Sequence, residues 1–446
     1  MRRSSVVALL LAVSAAACGG GDEGGGTEFS ATTVPEGPAT ATVDGAGFEP
    51  GPLGAVEVAP GEEIQIRSLN SISGDVAFLG MPNQRGAELA IADYGPVAGR
   101  SVSLGTPLDD LCSPDGGQAA AQSVVADPGV VGLIGTTCSA AAVAAAPLIS
   151  DAGMVMIAPS NTSPALTSDL AGTPGSAYRP GYYRTSHNDL FQARAVALFV
   201  RNELGYSTAA AIHDGDPYTQ GLAQAFRDAF EELGGELTGF TAVNKGDTDM
   251  IAALTEVAVG APEAIFFPIF MPEGGFIVQQ VDGVSGLADT TLIVSAALLV
   301  DNFMELPESA GVYISGPDLR FGNNANSFTG RTADGLLGVY VDTYGDKPSA
   351  GYWGHAYDAT TMLLSAIEQV AVEVEGTLYI DRQALREQLH ASSFDGIIGP
   401  IACDGFGDCG SQLIAVIHHT DPRDIEAGKG NVVFDYAPAR SDAEAG

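Results

Sequence analysis

The sequence predicts an α/β protein of two lobes, each built on a mainly parallel sheet. Along most of the chain, apolar segments of four to six residues alternate with segments of helical spacing. That is the pattern of βαβ units whose strands are buried on both faces. The strands number roughly ten or more, which is unusual for one sheet and points to two. With 446 residues, 46% of them hydrophobic and 17% charged, the chain has material for about two or three domains and is not wholly disordered.

An extended segment is expected at Val56–Ala59, and the first unit opens with the strand Ile64–Leu69. Gly80–Tyr94 follows with Met81, Leu89 and Ile91 at helical spacing. Next come a strand at Ser101–Leu104, a helix at Gln118–Ala126, a continuously apolar strand at Val130–Ile134, a helix at Ser139–Ser150 and a strand at Met154–Ile157. Past Arg184 the alternation resumes. Helices are expected at Asp189–Leu204, Thr219–Leu233, Thr248–Val257 and Gly274–Val281, and strands at Ala209–His213, Glu236–Ala242, Ala264–Phe267 and Thr291–Ser295. Later, Gly354–Val370 and Arg382–His390 read as helices and Gln412–His418 as a strand. Ligands in such folds sit outside the carboxyl ends of the strands.

Charge narrows the function. Acidic residues outnumber basic ones 55 to 19, a formal charge of −36. No basic cluster offsets it, so nucleic acid is excluded as a partner. Lys245, Lys347 and Lys429 are the only lysines. The chain has no phosphate loop, no H-E-x-x-H and no G-x-S-x-G. Its histidines (His187, His213, His355, His390, His418, His419) are scattered and read as structural. Asp404-Gly405-Phe406-Gly407-Asp408 misses the calcium-loop spacing and reads as a glycine-rich turn. Neither a metal nor a cofactor is expected.

Residues 1–17 carry a basic start (Arg2, Arg3), an apolar run from Val6 to Val13 and small residues before Cys18. This is the layout of an export signal, too short for a permanent membrane span. The Ala15-Ala16-Ala17-Cys18 sequence resembles a bacterial lipobox, so Cys18 is expected to be lipidated. A plain signal peptide with a stray cysteine is the alternative. Residues 18–61, rich in Gly, Ala, Thr and Pro, read as a flexible tether. Four further cysteines suit an oxidising compartment. The natural pairing is Cys112–Cys138 and Cys403–Cys409, with loop entropies of roughly 3.5 and 2.4 kcal/mol.

Several segments, in order, resemble the branched-chain amino acid type of ABC-transporter solute-binding protein. They include Ser73-Gly74-Asp75-Val76-Ala77, Gly86-Ala87-Glu88-Leu89-Ala90, Asp109-Asp110-Leu111-Cys112 and Gly135-Thr136-Thr137-Cys138-Ser139. Ala158-Pro159-Ser160-Asn161-Thr162 through Thr167, Tyr183-Arg184-Thr185-Ser186, His213 through Gly221, Tyr357-Asp358-Ala359 and Gly399-Pro400 complete the set. The resemblance spans about residues 62 to 440. It implies the type I periplasmic binding protein fold: two Rossmann-like, doubly wound lobes joined by a three-strand hinge. The crossings are expected near Arg184–Asp189, Ser315–Arg320 and Ile398–Gln412. The first lobe would hold 62–186 and 320–400, the second 187–319 and 401–440.

Hydroxyls and free N–H groups at helix starts and strand ends can hold a carboxylate without a cation. By the resemblance, Ser139, Ser160, Asn161 and Thr162 hold the ligand's polar ends. Tyr218 closes over it, Phe270 takes the place of a second aromatic, and Leu79 lines the side-chain end. Ser139 and Thr162 can equally cap helices, and Tyr218 can simply pack. The family's acidic partner for a ligand ammonium is missing, because Ala296-Ala297-Leu298-Leu299 stands there, leaving Asp189 or Asp301 to compensate. The implied protein is a lipid-anchored, monomeric, non-enzymatic receptor outside the cytoplasmic membrane that delivers its solute to an ABC permease. A branched-chain amino acid is the first expectation, and an amide, urea-like solute or small carboxylate the alternative. A ligand-sensing module is the second functional reading. An exported hydrolase is the third, opposed by the lack of a nucleophile–base motif.

Overall fold

The computed structural model describes residues 47–438 and the short strand Ala41–Thr42. The expected signal peptide, Cys18, most of the tether and the last residues of the second expected lobe lie outside the described residues.

One sheet runs in the order Val102–Ser103, Ile64–Asn70, Val130–Gly135, Val155–Ala158, Tyr182–Arg184, all parallel. Every residue of Val130–Gly135 and of Val155–Ala158 is buried, which is why they read as unbroken apolar runs. The helices Ala77–Tyr94 and Trp353–Val370 pack together on one face. Pro114–Val125 and Ser139–Asp151 pack together and share the core of the other. A side chain at Gly86 would meet the Trp353 carbonyl oxygen at 2.4 Å, so only glycine lets the first pair approach this closely. Trp353–Val370 is buried over nearly its whole length, polar residues included: the Asp358 carboxylate accepts from Ile397 and Ile398 N–H, each at 2.9 Å.

The second sheet runs in the order Glu236–Ala242, Thr208–His213, Ala264–Phe267, Thr291–Ser295, Tyr313–Pro317, Ile414–His418, Val432–Tyr436. The first five strands are parallel; Ile414–His418 runs against them, and Val432–Tyr436 runs against Ile414–His418. The chain passes between the sheets after Arg184, after Pro317 and after Ala402. These parallel sheets in two halves are the type I periplasmic binding protein architecture.

Several details depart from expectation. The extended segment expected at Val56–Ala59 is the strand Ala55–Val58, with Val56 and Val58 buried, so the tether expected over 18–61 ends before this strand. It pairs with Thr377–Asp381, which pairs in turn with Ala371–Val374 and forms a small sheet that the sequence reading lacked. The helix from Asp189 is regular only to Leu198. Beyond that, Leu204 N–H donates to Phe199 O and Tyr206 N–H to Val200 O, wider turns that end the helix.

Candidate functional site

The strand Val130–Gly135 ends at Gly135, whose φ is +143° and where a Cβ would lie 1.9 Å from the Leu69 carbonyl oxygen. Only glycine fits, and the chain then turns through Thr136 and Thr137 into the helix Ser139–Asp151. Cys138 stands at that helix's N-cap without a side-chain cap, so the first-turn N–H groups stay available.

Asp110 holds the loop in place. Its carboxylate accepts from Cys112 N–H and Thr137 N–H, each at 2.7 Å, and from the Ser71 hydroxyl. The Cys112–Cys138 disulfide ties the same two segments. Burial pushes the Asp110 carboxyl up to about 6, against the pull of these donors.

The second loop, Ser160 to Thr167, follows the strand Val155–Ala158. Ser160 donates to Thr137 O at 2.9 Å and accepts from Asn83 at 3.0 Å. The Ser139 hydroxyl oxygen accepts from Ser163 N–H at 3.4 Å, which leaves its own proton uncommitted among the described residues. Arg184, wholly buried, donates to Asn161 O (3.2 Å), Ser163 O (2.9 Å) and the Thr167 hydroxyl (2.7 Å). Its Nε pairs with Asp408 in the turn closed by Cys403–Cys409. Asp404 completes that turn by accepting from Phe406 and Asp408 N–H.

From the second sheet come Tyr218, Phe270 and the turn Ala296–Leu298. Asp216 caps the helix Pro217–Glu232 by accepting from Tyr218 N–H at 2.9 Å. The Tyr218 ring leans on Phe270 (5.4 Å between centroids), and its hydroxyl donates to the Ser295 hydroxyl at 2.7 Å.

These parts enclose a cavity of about 40 Å³. Leu79, Ser139, Ser160, Thr162, Tyr218 and Phe270 line it, as do Ala296 and Ala297, at the position expected to face a ligand ammonium, and Thr137, Cys138 and Tyr352, which were not expected to line it. Tyr352 precedes the helix Trp353–Val370 and is remote in sequence from the other segments. No local signal marks it. No lining residue is charged. Hydroxyls and an uncapped helix start face aromatic rings and Leu79, an arrangement able to bind a carboxylate with an apolar body.

Three expected residues do not line the cavity. The Asn161 side chain is turned away from the cavity: its amide donates to Thr136 O at 2.9 Å, and its oxygen accepts from Tyr182 and Thr136. Asp301, three residues past the turn Ala296–Leu298, pairs with Lys429 at 2.6 Å and is not a lining residue. Asp189 is wholly buried but is not a lining residue. Its N–H donates to Thr162 O at 2.9 Å, and neither carboxylate oxygen has a partner of hydrogen-bond geometry among the described residues. Burial pushes it up to about 7, countered only in part by the nearby Thr162 hydroxyl; burial first, and then the Asp189 charge, raises the Tyr218 and Tyr352 phenols. No histidine lines the cavity. Burial lowers His187 to about 4 and His355 to about 3, so both stay neutral in the hinge region.

The fold and the cavity define a bilobal ligand-binding protein. A model of the periplasmic binding protein family matches residues 63–414, and the chain belongs to that family. It is similar to the Leu/Ile/Val-binding protein of Escherichia coli (strain K12), 26% identical over 374 residues covering 79% of this chain and 89% of that one. Among solved structures it resembles a leucine-binding protein of Thermotoga maritima (TM-score 0.71, 24% identity, 84% of this chain and 99% of that one). Another is an ABC-transporter solute-binding protein of R. palustris in complex with benzoate (TM-score 0.66, 19% identity, 84% and 98%). At these identities the structural likeness speaks for the fold alone.

Proposed function

We propose that this chain is the extracytoplasmic solute receptor of an ABC importer and binds a branched-chain amino acid or a carboxylate of similar shape between its lobes. One observation supports this most: uncommitted hydroxyl and N–H donors at Ser139 face the Tyr218–Phe270 lid across one cavity. Relatives named for leucine, isoleucine and valine favour the amino acid. The uncharged lining and the benzoate complex favour a carboxylate without an ammonium. In the first case Asp189, one layer behind Thr162, is the counter-charge. In this reading the lobes are 62–186 with 320–400 and 187–319 with 401–440, the protein is monomeric, and lipid on Cys18 holds it near its permease.

Leucine and 4-methylpentanoate share a skeleton and differ in the ammonium, so calorimetric titration of both, with valine and benzoate, separates the cases. Tighter binding of leucine supports the amino acid. Equal affinity assigns recognition to the carboxylate alone. No binding of any of them, with no thermal shift, defeats the reading of the site. Cys18→Ser should release the protein from membranes, and its retention there would remove the lipid anchor.

A further inference from the structure

We propose that Lys245 is a positioning residue for the cleft: the turn that carries it braces Tyr218 and Phe270, so that the two rings close on the solute as one lid. Lys245 has this role only if the cleft cavity is where the solute binds, as proposed above. Asn244-Lys245-Gly246-Asp247 follows the strand Glu236–Ala242 and closes into a turn. Asp247 N–H donates to Asn244 O at 3.0 Å, and the Asp247 carboxylate accepts from the Asn244 N–H at 3.0 Å and from its side-chain amide at 2.9 Å. Gly246 has a φ of +90°, a left-handed value that suits glycine at the third residue of a turn.

The two central residues of the turn reach different anchors. The Lys245 ammonium pairs at 2.7 Å with Oδ2 of Asp216, while Oδ1 of the same carboxylate accepts from Tyr218 N–H. Gly246 N–H donates to the Glu273 carboxylate at 2.6 Å. Glu273 opens the helix Glu273–Gln280, whose Gly274 N–H donates to Phe270 O at 2.9 Å. Gln280, at the other end of that helix, accepts from Met250 N–H and donates to Thr248 O, each at 2.8 Å. One stretch of chain thus holds both the segment that carries Tyr218 and the segment that carries Phe270.

Charge makes Lys245 the decisive member. The Asp216 side chain is 2% exposed, and Lys245 is the cation paired with it. Burial pulls the Lys245 ammonium down, yet the Asp216 carboxylate, with Asp214 and Glu273 beside it, leaves it above the ordinary lysine value, so the pair stays charged. A buried carboxylate that loses its ammonium gains by turning to water, and Asp216 takes the cap of Tyr218 with it when it turns. The Tyr218 and Phe270 rings already touch. A brace shared by both makes closure and opening one event in place of two.

Two readings test this on the full chain. In stopped flow with leucine, or with 4-methylpentanoate if leucine does not bind, Lys245→Gln should speed release about fivefold and leave association unchanged, the scale of an ion pair buried at one end. Lys245→Arg should restore the original rate. Asp216→Asn keeps an oxygen for the cap but loses the charge, so it should match Lys245→Gln, and the two together should add nothing further. Lys347→Gln, which cuts an exposed pair with Glu426, should change neither rate. The second reading needs no ligand. Amide exchange followed by mass spectrometry should quicken in Lys245→Gln over residues 216–220 and 270–276 together. Unchanged exchange in both segments, or faster exchange in the first alone, overturns the shared brace. So do additive effects of Lys245→Gln and Asp216→Asn, or an equal effect from Lys347→Gln. If no solute binds any of these proteins the proposed function falls, and joint loss of protection in the two segments still upholds the brace.

Discussion

Ser139 and Thr162 are where the cleft's affinity should be decided, because each places a polar group at the end of a buried strand. Removing either hydroxyl leaves a ligand oxygen underpaired, so Ser139→Ala or Thr162→Ala should weaken the cognate ligand about 5- to 150-fold by calorimetry. Tyr218 acts through its ring, since its hydroxyl is already spent on Ser295. Tyr218→Phe should therefore cost less than Tyr218→Ala, and the alanine variant should act mainly through faster release in stopped-flow traces. Asp189 carries a pH signature. Its folded value of about 7 lies above the ordinary 3.8, so the unfolded chain is ionised at pH values where the folded one resists ionisation. Its carboxylate thus destabilises the fold most above pH 7, and stability from this group rises as pH falls from 7 towards 4. Asp189→Asn should raise the melting temperature at pH 8, with a gain that shrinks by pH 5, while weakening any ligand whose ammonium it neutralises. At this scale the sequence was informative wherever a polar residue directly follows an apolar strand, as with Ser139, Ser160 and Thr162. It was silent on Tyr352, which packing alone brings to the cavity. It also misled on Asn161, whose neighbours on either side line or support the site while its own amide turns back to Thr136.

Among the elements, the turn closed by Cys403 and Cys409 does more than end a strand. Through Asp408 it grips Arg184 and, at 3.1 Å, Asn188, and through Arg184 it holds the backbone that presents Thr162. Asp408→Ala leaves a buried guanidinium unpaired, an expected loss of roughly 3–5 kcal/mol in urea unfolding, accompanied by weaker ligand binding. Cys403→Ser with Cys409→Ser should cost less, on the order of 2 kcal/mol for so short a loop. The parallel strands were legible because burial on both faces demands unbroken apolar runs. The small sheet of Ala55–Val58, Ala371–Val374 and Thr377–Asp381 was not. Its hairpin turns at Glu375 (φ 51°) and Gly376 (φ 84°), and a glutamate in the left-handed region announces no turn as an Asn-Gly pair would. Its partner strand follows a low-complexity stretch that reads as tether.

For the whole molecule, a cavity walled by both halves implies that they separate to admit the solute. Small-angle scattering should therefore show a smaller radius of gyration with saturating cognate ligand than without it, and an unchanged radius would contradict closure. Two sheets in place of one were legible from the strand count. The close seat of Trp353–Val370 against Ala77–Tyr94 at Gly86 has a bearing on synthesis. A chain emerging amino end first makes all the strands of its first sheet long before the helix that shelters one face of it. Until Val370 has followed, that face is covered by Ala77–Tyr94 alone, and early native pairing there gains less. Such a delay makes the late helix the step that commits the chain to its final form.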